Sequence, residues 1–351
     1  MLQRNDMTTS IAPRIRIGTA GDIPRLQAFV GAHWKAGHIF AREDRMLRWQ
    51  HLDPAGTLNF ALAEDPASRE VLGVLGFIPT AQFDAALAPE RDYWLALWRA
   101  REDVNVPGLG MALQFHLMQE LRPNTVAAIG IKPEAFPIYR AMRYATGTMA
   151  QYYLLNPDVS AFAVARVAAP PRPQTDEAAG LETVRMDATA LADLPASLDN
   201  FFSLRPKKSR VYFINRYLKH PVYDYEIHGV LRGGTLCGCW VVRAIRLAEG
   251  TVLRGIDCIF DPAGDVTWML PSIARLVRAH GAEYWDCYAA GVLAETLARA
   301  GFARRTGDEI VLPNYFEPFV RSNIDILYGV QAPRGTAYSI AKGDSDQDRP
   351  S

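Results

Sequence analysis

Residues 105–121 read NVPGLGMALQFHLMQEL, and the way this stretch folds decides the reading of the chain around it. Leu109, Leu113, Leu117 and Leu121 fall four apart, the spacing of one face of an α-helix, so a helix is expected here. Two glycines, Gly108 and Gly110, stand where that helix begins, and glycine there costs conformational entropy. The return is a backbone that comes close to an anion, because first-turn amides lack intrahelical acceptors and carry the positive end of the helix dipole. Upstream, DYWLALWRA (92–100) is an apolar run expected as a buried strand. Downstream, NTVAAIGIK (124–132) reads as a strand, EAFPIYRAMRY (134–144) as a short helix and GTMAQYYLLN (147–156) as a last strand. A strand, a glycine turn and a helix together make a cradle able to hold a pyrophosphate.

Working outward, RIRIGT (14–19) is strand-like and AGDIPRLQAFVGAHW (20–34) has helical spacing with Asp22 as a cap candidate. A turn near KAGHIFA (35–41) leads to a second helix over REDRMLRWQHL (42–52), and TLNFALAED with REVLGVLGFIP reads as an antiparallel hairpin. The first-half order is therefore β-α-α-β-β-β-α-β-α-β. A Pro- and Ala-rich linker is expected over 156–180, where the chain reads VAAPPRPQTDEAAG at 167–180. Beyond it VYDYEIHGVLR, TLCGCWVVRAIR and TVLRGIDCIF are strands, VTWMLPSIARLVRAH a helix, AEYWDCYAAG a strand and VLAETLARAGF a helix. The same supersecondary sequence thus occurs twice, which argues for duplication. The expected fold class is α/β (α+β): two similar domains, 1–155 and 181–330, each with a mixed, mostly antiparallel sheet flanked by helices. Residues 331–351 are expected to be a polar, disordered end.

The totals agree with this division. A chain of 351 residues exceeds what one core ordinarily supports. Lys plus Arg and Asp plus Glu both count 38, which argues against a broad nucleic-acid surface and for a small-molecule partner. The start, MLQRNDMTTS, has no apolar signal region and no later run is long enough for a membrane span, so a cytoplasmic protein is expected. Cys237, Cys239, Cys258 and Cys287 sit in strand-like stretches without C-x-x-C spacing and read as reduced core thiols; no metal is expected.

With the glycine turn followed by a strand and a helix carrying FPIYRAMRY, the first half resembles the Gcn5-related N-acetyltransferase (GNAT) superfamily. The family pattern at the turn is Arg or Gln, two residues, Gly, one residue, then Gly or Ala. Gly108 and Gly110 match it, while Asn105 stands where Arg or Gln is usual. The resemblance implies an acyl-CoA cosubstrate, acetyl-CoA or a short hydroxyacyl-CoA. It would be held by the turn (Asn105, Val106, Gly108, Leu109, Gly110, Met111) and the strand end (Trp98, Arg99). It also implies that Tyr139 sits beside the thioester sulfur as general acid, with Arg143 and Tyr144 replacing the usual Gly-Phe. A phenol titrating near pH 10 suits protonation of a departing thiolate. In the second half the corresponding loop, DPAGDV, carries Asp261 and Asp265 and no Gly-x-Gly, and Leu297 occupies the tyrosine position. Those charges repel phosphate, so the second copy is expected to keep the fold without the chemistry.

An incoming amine needs its surplus proton removed. The base candidates are His33 and His38 in HWKAGHIF and Glu102 or Asp103 at the strand end, and Trp34 suits a ring-binding wall. In INRYLKHPVYDYEI (214–227), Arg216, Tyr217, His220, Tyr223 and Tyr225 form a group suited to an acceptor's base and phosphates, and equally to an ordinary helix-to-strand junction. The chain resembles the tandem-GNAT sugar N-acyltransferases, on HWKAGHIFA, GLGMALQF, FPIYRAMRY, NRYLKHPVYDYE and the tail GDSDQDRP. That resemblance implies transfer to the amino group of a nucleotide-linked amino sugar, such as a dTDP-3-amino-3,6-dideoxyhexose, for surface polysaccharide. A CoA-free scaffold, a Fem-like aminoacyl-tRNA-dependent transferase and a protein N-acetyltransferase stay open beside it.

Overall fold

A computed structural model describes residues 12–168, 180–314 and 319–350. The first half runs β1 (Arg14–Thr19), α1 (Ile23–His33), α2 (Ile39–Arg42), α3 (Asp44–His51), β2 (Thr57–Glu64), β3 (Val71–Pro79), β4 (Asp92–Ala100), α4 (Leu109–Leu121), β5 (Thr125–Ile129), α5 (Phe136–Ala141) and β6 (Ala145–Thr148). Then follow β7 (Ala150–Leu155), β8 (Arg166–Val167), β9 (Leu181–Arg185), α6 (Ala188–Ala192), α7 (Arg210–Phe213), β10 (Glu226–Arg232), β11 (Thr235–Arg246) and β12 (Thr251–Phe260). The chain closes with α8 (Met269–Ala279), β13 (Ala282–Gly291), α9 (Val292–Arg299), β14 (Ala303–Arg304), β15 (Ile310–Val311), β16 (Leu327–Gln331) and β17 (Ser339–Ala341).

Two large mixed sheets result, in the strand orders β1-β2-β3-β4-β5-β16-β6 and β14-β7-β13-β12-β11-β10-β9. Within them β4 pairs with β5, and β12 with β13, in parallel, and the remaining ladders are antiparallel. Strands β2, β3 and β12 are buried almost end to end because helices or the other sheet cover both faces. Leu109, Leu113 and Leu117 of α4 pack on one face of the first sheet with Leu72, Leu75 and Leu95, while α1, α2 and α3 cover the other with Leu26, Phe40 and Leu47. A third core joins the halves, carrying Ile78, Phe83 and Trp94 of the first into contact with Tyr212, Trp240 and Trp285 of the second.

The sheets exchange strands. The stretch 147–156 is not one strand. It divides at Met149, whose amide donates to Ile326 O (2.8 Å), so that β6 ends the first sheet and β7 enters the second between β13 and β14. In return β16, from near the end of the chain, fills the place between β5 and β6.

The end of the chain, expected to be disordered, is instead packed, and that expectation is corrected. Strand β17 pairs with β13 from Ala289↔Ala341 to Gly291↔Ser339, and Lys342, Asp344, Ser345, Asp346 and Asp348 are buried. The polar sequence hides this because each acid meets a partner. Asp344 lies 2.7 Å from Lys208 Nζ, Arg243 grips Asp348 with two bonds of 2.9 and 3.1 Å, and Arg349 pairs with Asp346. Of the expected linker, 169–179 lie outside the described residues; the part before them is docked, with Glu283 accepting the amides of Ala163, Val164 and Ala165. No helix among the described residues is long and apolar enough to cross a membrane. The four cysteines are free thiols, three of them buried.

Candidate active site

The site begins where two parallel strands part. β4 and β5 pair from Asp92↔Thr125 to Leu95↔Ala128, after which β4 runs on to Ala100 without a strand partner on that side. On its other edge β4 follows β3, with an extra residue where Leu75 and Phe77 face Trp98 and Leu95. Such a bulge bends a strand, and here it carries β4 away from β5. The gap opens into a cleft of about 370 Å³ walled by Ala96, Trp98, Arg99, Ile131, Ala135 and Tyr139.

At one end of this wall stands the glycine turn. Gly108 is left-handed (φ 73°, ψ 9°), a conformation that disfavours side chains, and a β-carbon there would meet nothing within 4 Å. Leu109 N donates to Val106 O (3.3 Å), and the first helical bond runs from Ala112 N to Gly108 O (3.0 Å). The amides of Gly110 and Met111 therefore face outward at the positive end of α4. Trp98 links turn to cleft: a β-carbon on Gly110 would lie 3.4 Å from its indole nitrogen, and its ring lies edge-on to Tyr139 at 6.0 Å. Asn105 is exposed on the loop and Val106 half-buried. Arg99 ties the strand to α1, donating from Nε to His33 O (2.8 Å).

Tyr139 is buried in the cleft wall against Tyr144, with ring centroids 5.0 Å apart. Burial, with Tyr144 beside it, raises the Tyr139 phenol well above its ordinary range, so it holds its proton at any working pH. The cleft wall therefore presents the phenol and not the phenolate.

A second, smaller chamber of about 140 Å³ adjoins the cleft, the two sharing Trp34, Asp346, Gln347 and Arg349. His38 and Tyr223 line it, and Arg243 lies 3.8 Å above the Tyr223 ring. His38 Nδ1 accepts the Phe40 amide (3.2 Å), which leaves the proton on Nε2, and Nε2 has no partner. Burial pushes this imidazole down to about 3, so it is neutral and presents a donor. The tail crosses between the chambers: Ser345 Oγ donates to Leu95 O (2.8 Å) and Gln347 Nε2 to Ile129 O (3.0 Å), bridging the two parted strands.

The structure brings Trp34, His38, Trp98, Arg99, Tyr139 and Tyr223 to this connected cavity. It does not bring Arg216, Tyr217 and His220 there. Arg216 lies buried over Trp49 and Phe83 and donates to Gly343 O and Ser345 O; Tyr217 donates to Asp257 (2.8 Å); His220 Nδ1 accepts the amides of Val222 and Tyr223. The His33 ring packs on Phe29 outside both chambers. Sequence reasoning missed Arg243, Arg254, Asn314, Lys342 and the tail residues. The available signal was a charge inside an apolar strand, as in VVRAIR and TVLRGID.

In the second half the equivalent gap is filled. Past Gly255↔Cys287, β13 takes β17 as its partner while Gly343 N donates to Ile256 O (2.8 Å) on the β12 side. Asp265 is tied to Thr267 and Arg232 at the head of that loop, and Leu297 is fully buried.

No family model and no curated protein matches the sequence. Among solved structures, a GCN5-related N-acetyltransferase from Anabaena variabilis is similar over 91% of this chain and 72% of its own, with a TM-score of 0.54 and 12% identity. One from Kribbella flavida is similar over 92% and 71%, with a TM-score of 0.54 and 11% identity. The likeness shows the fold: two sheets of mixed strand orientation flanked by helices, as in those structures.

Proposed function

We propose that the protein is an acyl-CoA-dependent N-acyltransferase. The observation that carries this reading is the open gap between β4 and β5, with the bare Gly108 turn at one end and the protonated Tyr139 in its wall. Acyl-CoA supplies the activated acyl group as a thioester. The outward amides of Gly110 and Met111 and the end of α4 hold its pyrophosphate, a task left to the backbone because Asn105 brings no charge. Unpaired donors on the β4 edge face the acyl oxygen and stabilise the negative charge it gains as the amine adds. Tyr139 gives its proton to the sulfur as the carbon–sulfur bond breaks, the amine's surplus proton leaves to solvent, and a proton from solvent restores the Tyr139 phenol. Residues 1–155 supply this machinery, and residues 181–330, whose gap is filled, complete the acceptor side without chemistry of their own.

The acceptor in this reading is the amino group of a nucleotide-linked amino sugar, as in surface-polysaccharide synthesis; the chamber beside the cleft, with Trp34 and Tyr223 in its walls, is where it docks. The test is thiol release from acetyl-CoA with a panel of nucleotide-linked amino sugars and other amines, with the product's mass gain measured. Tyr139→Phe is expected to lower kcat roughly 10²- to 10⁴-fold with CoA affinity unchanged. Failure of CoA to bind, or thiol release indifferent to Tyr139→Phe, removes the mechanism.

A further inference from the structure

The chamber beside the cleft holds three polar groups that the protein leaves unanswered. His38 Nε2 and Asn314 Oδ1 are buried without a partner. Lys342, 3% exposed, lines the same space, and its ammonium makes no hydrogen bond or ion pair among the described residues; the nearest ring is Tyr288 at 5.8 Å. Three arginines that line the same space have carboxylates of their own: Arg243 has Asp348, Arg254 has Asp286 and Arg349 has Asp346. The chamber is therefore lined by an ammonium without an ion-pair partner and by an imidazole N–H without an acceptor. Burying such groups unpaired is costly, and a ligand that answers them removes the cost.

We propose that this chamber is an oxyanion subsite: a carboxylate or phosphate carried by the amine acceptor takes one hydrogen bond from Lys342 Nζ and another from His38 Nε2, while a neighbouring hydroxyl donates to Asn314 Oδ1. The word acceptor rests on the acyltransfer reading, which the subsite narrows to amines bearing an anionic group. Burial, with Arg254 and Arg243 close by, pushes Lys342 down to about 8 against the opposing pull of Asp348 and Asp286. An anion seated beside it restores the preference for the charged form, so binding just above that pH takes up a proton.

The experiment is calorimetry of the full chain with inorganic phosphate and, separately, with acetate, at pH 8.5 in two buffers of different ionisation enthalpy. Saturable binding of one or both anions is expected, with an uptake approaching roughly 0.7 proton, and the two probes separate a phosphate from a carboxylate site. Lys342→Met should abolish the uptake and weaken binding about ten- to a hundredfold. Lys342→Arg, which keeps the charge if the Met variant fails to fold, should bind without uptake. His38→Asn, which retains an acceptor for the Phe40 amide, should weaken binding and leave the uptake intact. No saturable binding of either anion, or binding and uptake unchanged in the Lys342 variants, overturns the proposal. Anion binding with uptake in a protein that neither binds CoA nor releases thiol sinks the transfer reaction and keeps the subsite. Thiol release with neutral amines and no anion binding does the reverse.

Discussion

Lowering the pH from 7 to 5 is expected to destabilise this protein steeply, because its fold holds histidines neutral. Burial pushes His38 and His220 down to about 3 and His51 down to about 4. In His38 and His220 the Nδ1 lone pair already accepts backbone amides, so protonation there would break bonds as well as strand a charge. Unfolded, these rings titrate near 6.5, so below that pH the unfolded chain takes up protons that the native state excludes, and stability falls. At pH 5 the three rings amount to roughly three protons. Asp344, raised to about 6 by burial with Asp257 beside it, returns roughly one, because there the native state binds the proton first. The net of roughly two protons is a slope of about 2.7 kcal/mol per pH unit, set against a total stability on the order of 5–15 kcal/mol. Urea titrations at pH 7, 6 and 5 should show a falling midpoint at constant m-value. His220→Asn, which retains an acceptor for the amides of Val222 and Tyr223, should reduce the slope by about 1.4 kcal/mol per pH unit. A stability that is flat between pH 6 and 5, or a slope unchanged in the variant, refutes the reasoning.

Two further substitutions probe the glycine turn and the buried tail. Gly108→Ala forces a side chain into a left-handed backbone at a cost of about 1 kcal/mol without a clash, so the protein should melt a few degrees lower. The methyl group should also weaken CoA binding about tenfold or more by calorimetry; unchanged affinity would place the pyrophosphate elsewhere. Lys208→Met leaves Asp257 and Asp344 buried without the cation now 2.6 and 2.7 Å away. A loss of about 3–5 kcal/mol is expected by denaturant titration, and a loss below 1 kcal/mol would mean that water already reaches the pair.

Much of the fold was legible because its signals are local. The four-residue spacing of Leu109, Leu113 and Leu117, the apolar run of β4 and the paired glycines each report on their own segment, and together they identified α4, its turn and the neighbouring strands. The short helix that carries Tyr139 was legible for the same reason, while the role proposed for that tyrosine came from the resemblance alone. The tail was not. Its acids look like a solvated end unless Lys208 and Arg243, more than 100 residues away in sequence, are seen to meet them and Arg216 to hold the carbonyls of Gly343 and Ser345. The smaller chamber was legible only in part, since Trp34 and His38 come from one half while Arg243, Arg254 and Lys342 come from the other. The strand exchange had no local signal either, because GTMAQYYLLN has the same apolar pattern whether it serves one sheet or two. The segment 181–221 lacked a clear period, and it folds into β9, α6, α7 and a π-helical turn over Ile214–Leu218.

The crossing-over of β7 and β16 bears on how the chain comes to life during translation. When the ribosome has made only the first 160 or so residues, β5 and β6 exist but the segment that must lie between them, Leu327–Gln331, has not been synthesised. Two open strand edges must wait, exposed to stray pairing, until almost the whole polypeptide has emerged. A product that stops short of β16 therefore leaves the first sheet with a gap between β5 and β6, and a piece cut at the linker lacks a strand of its own sheet.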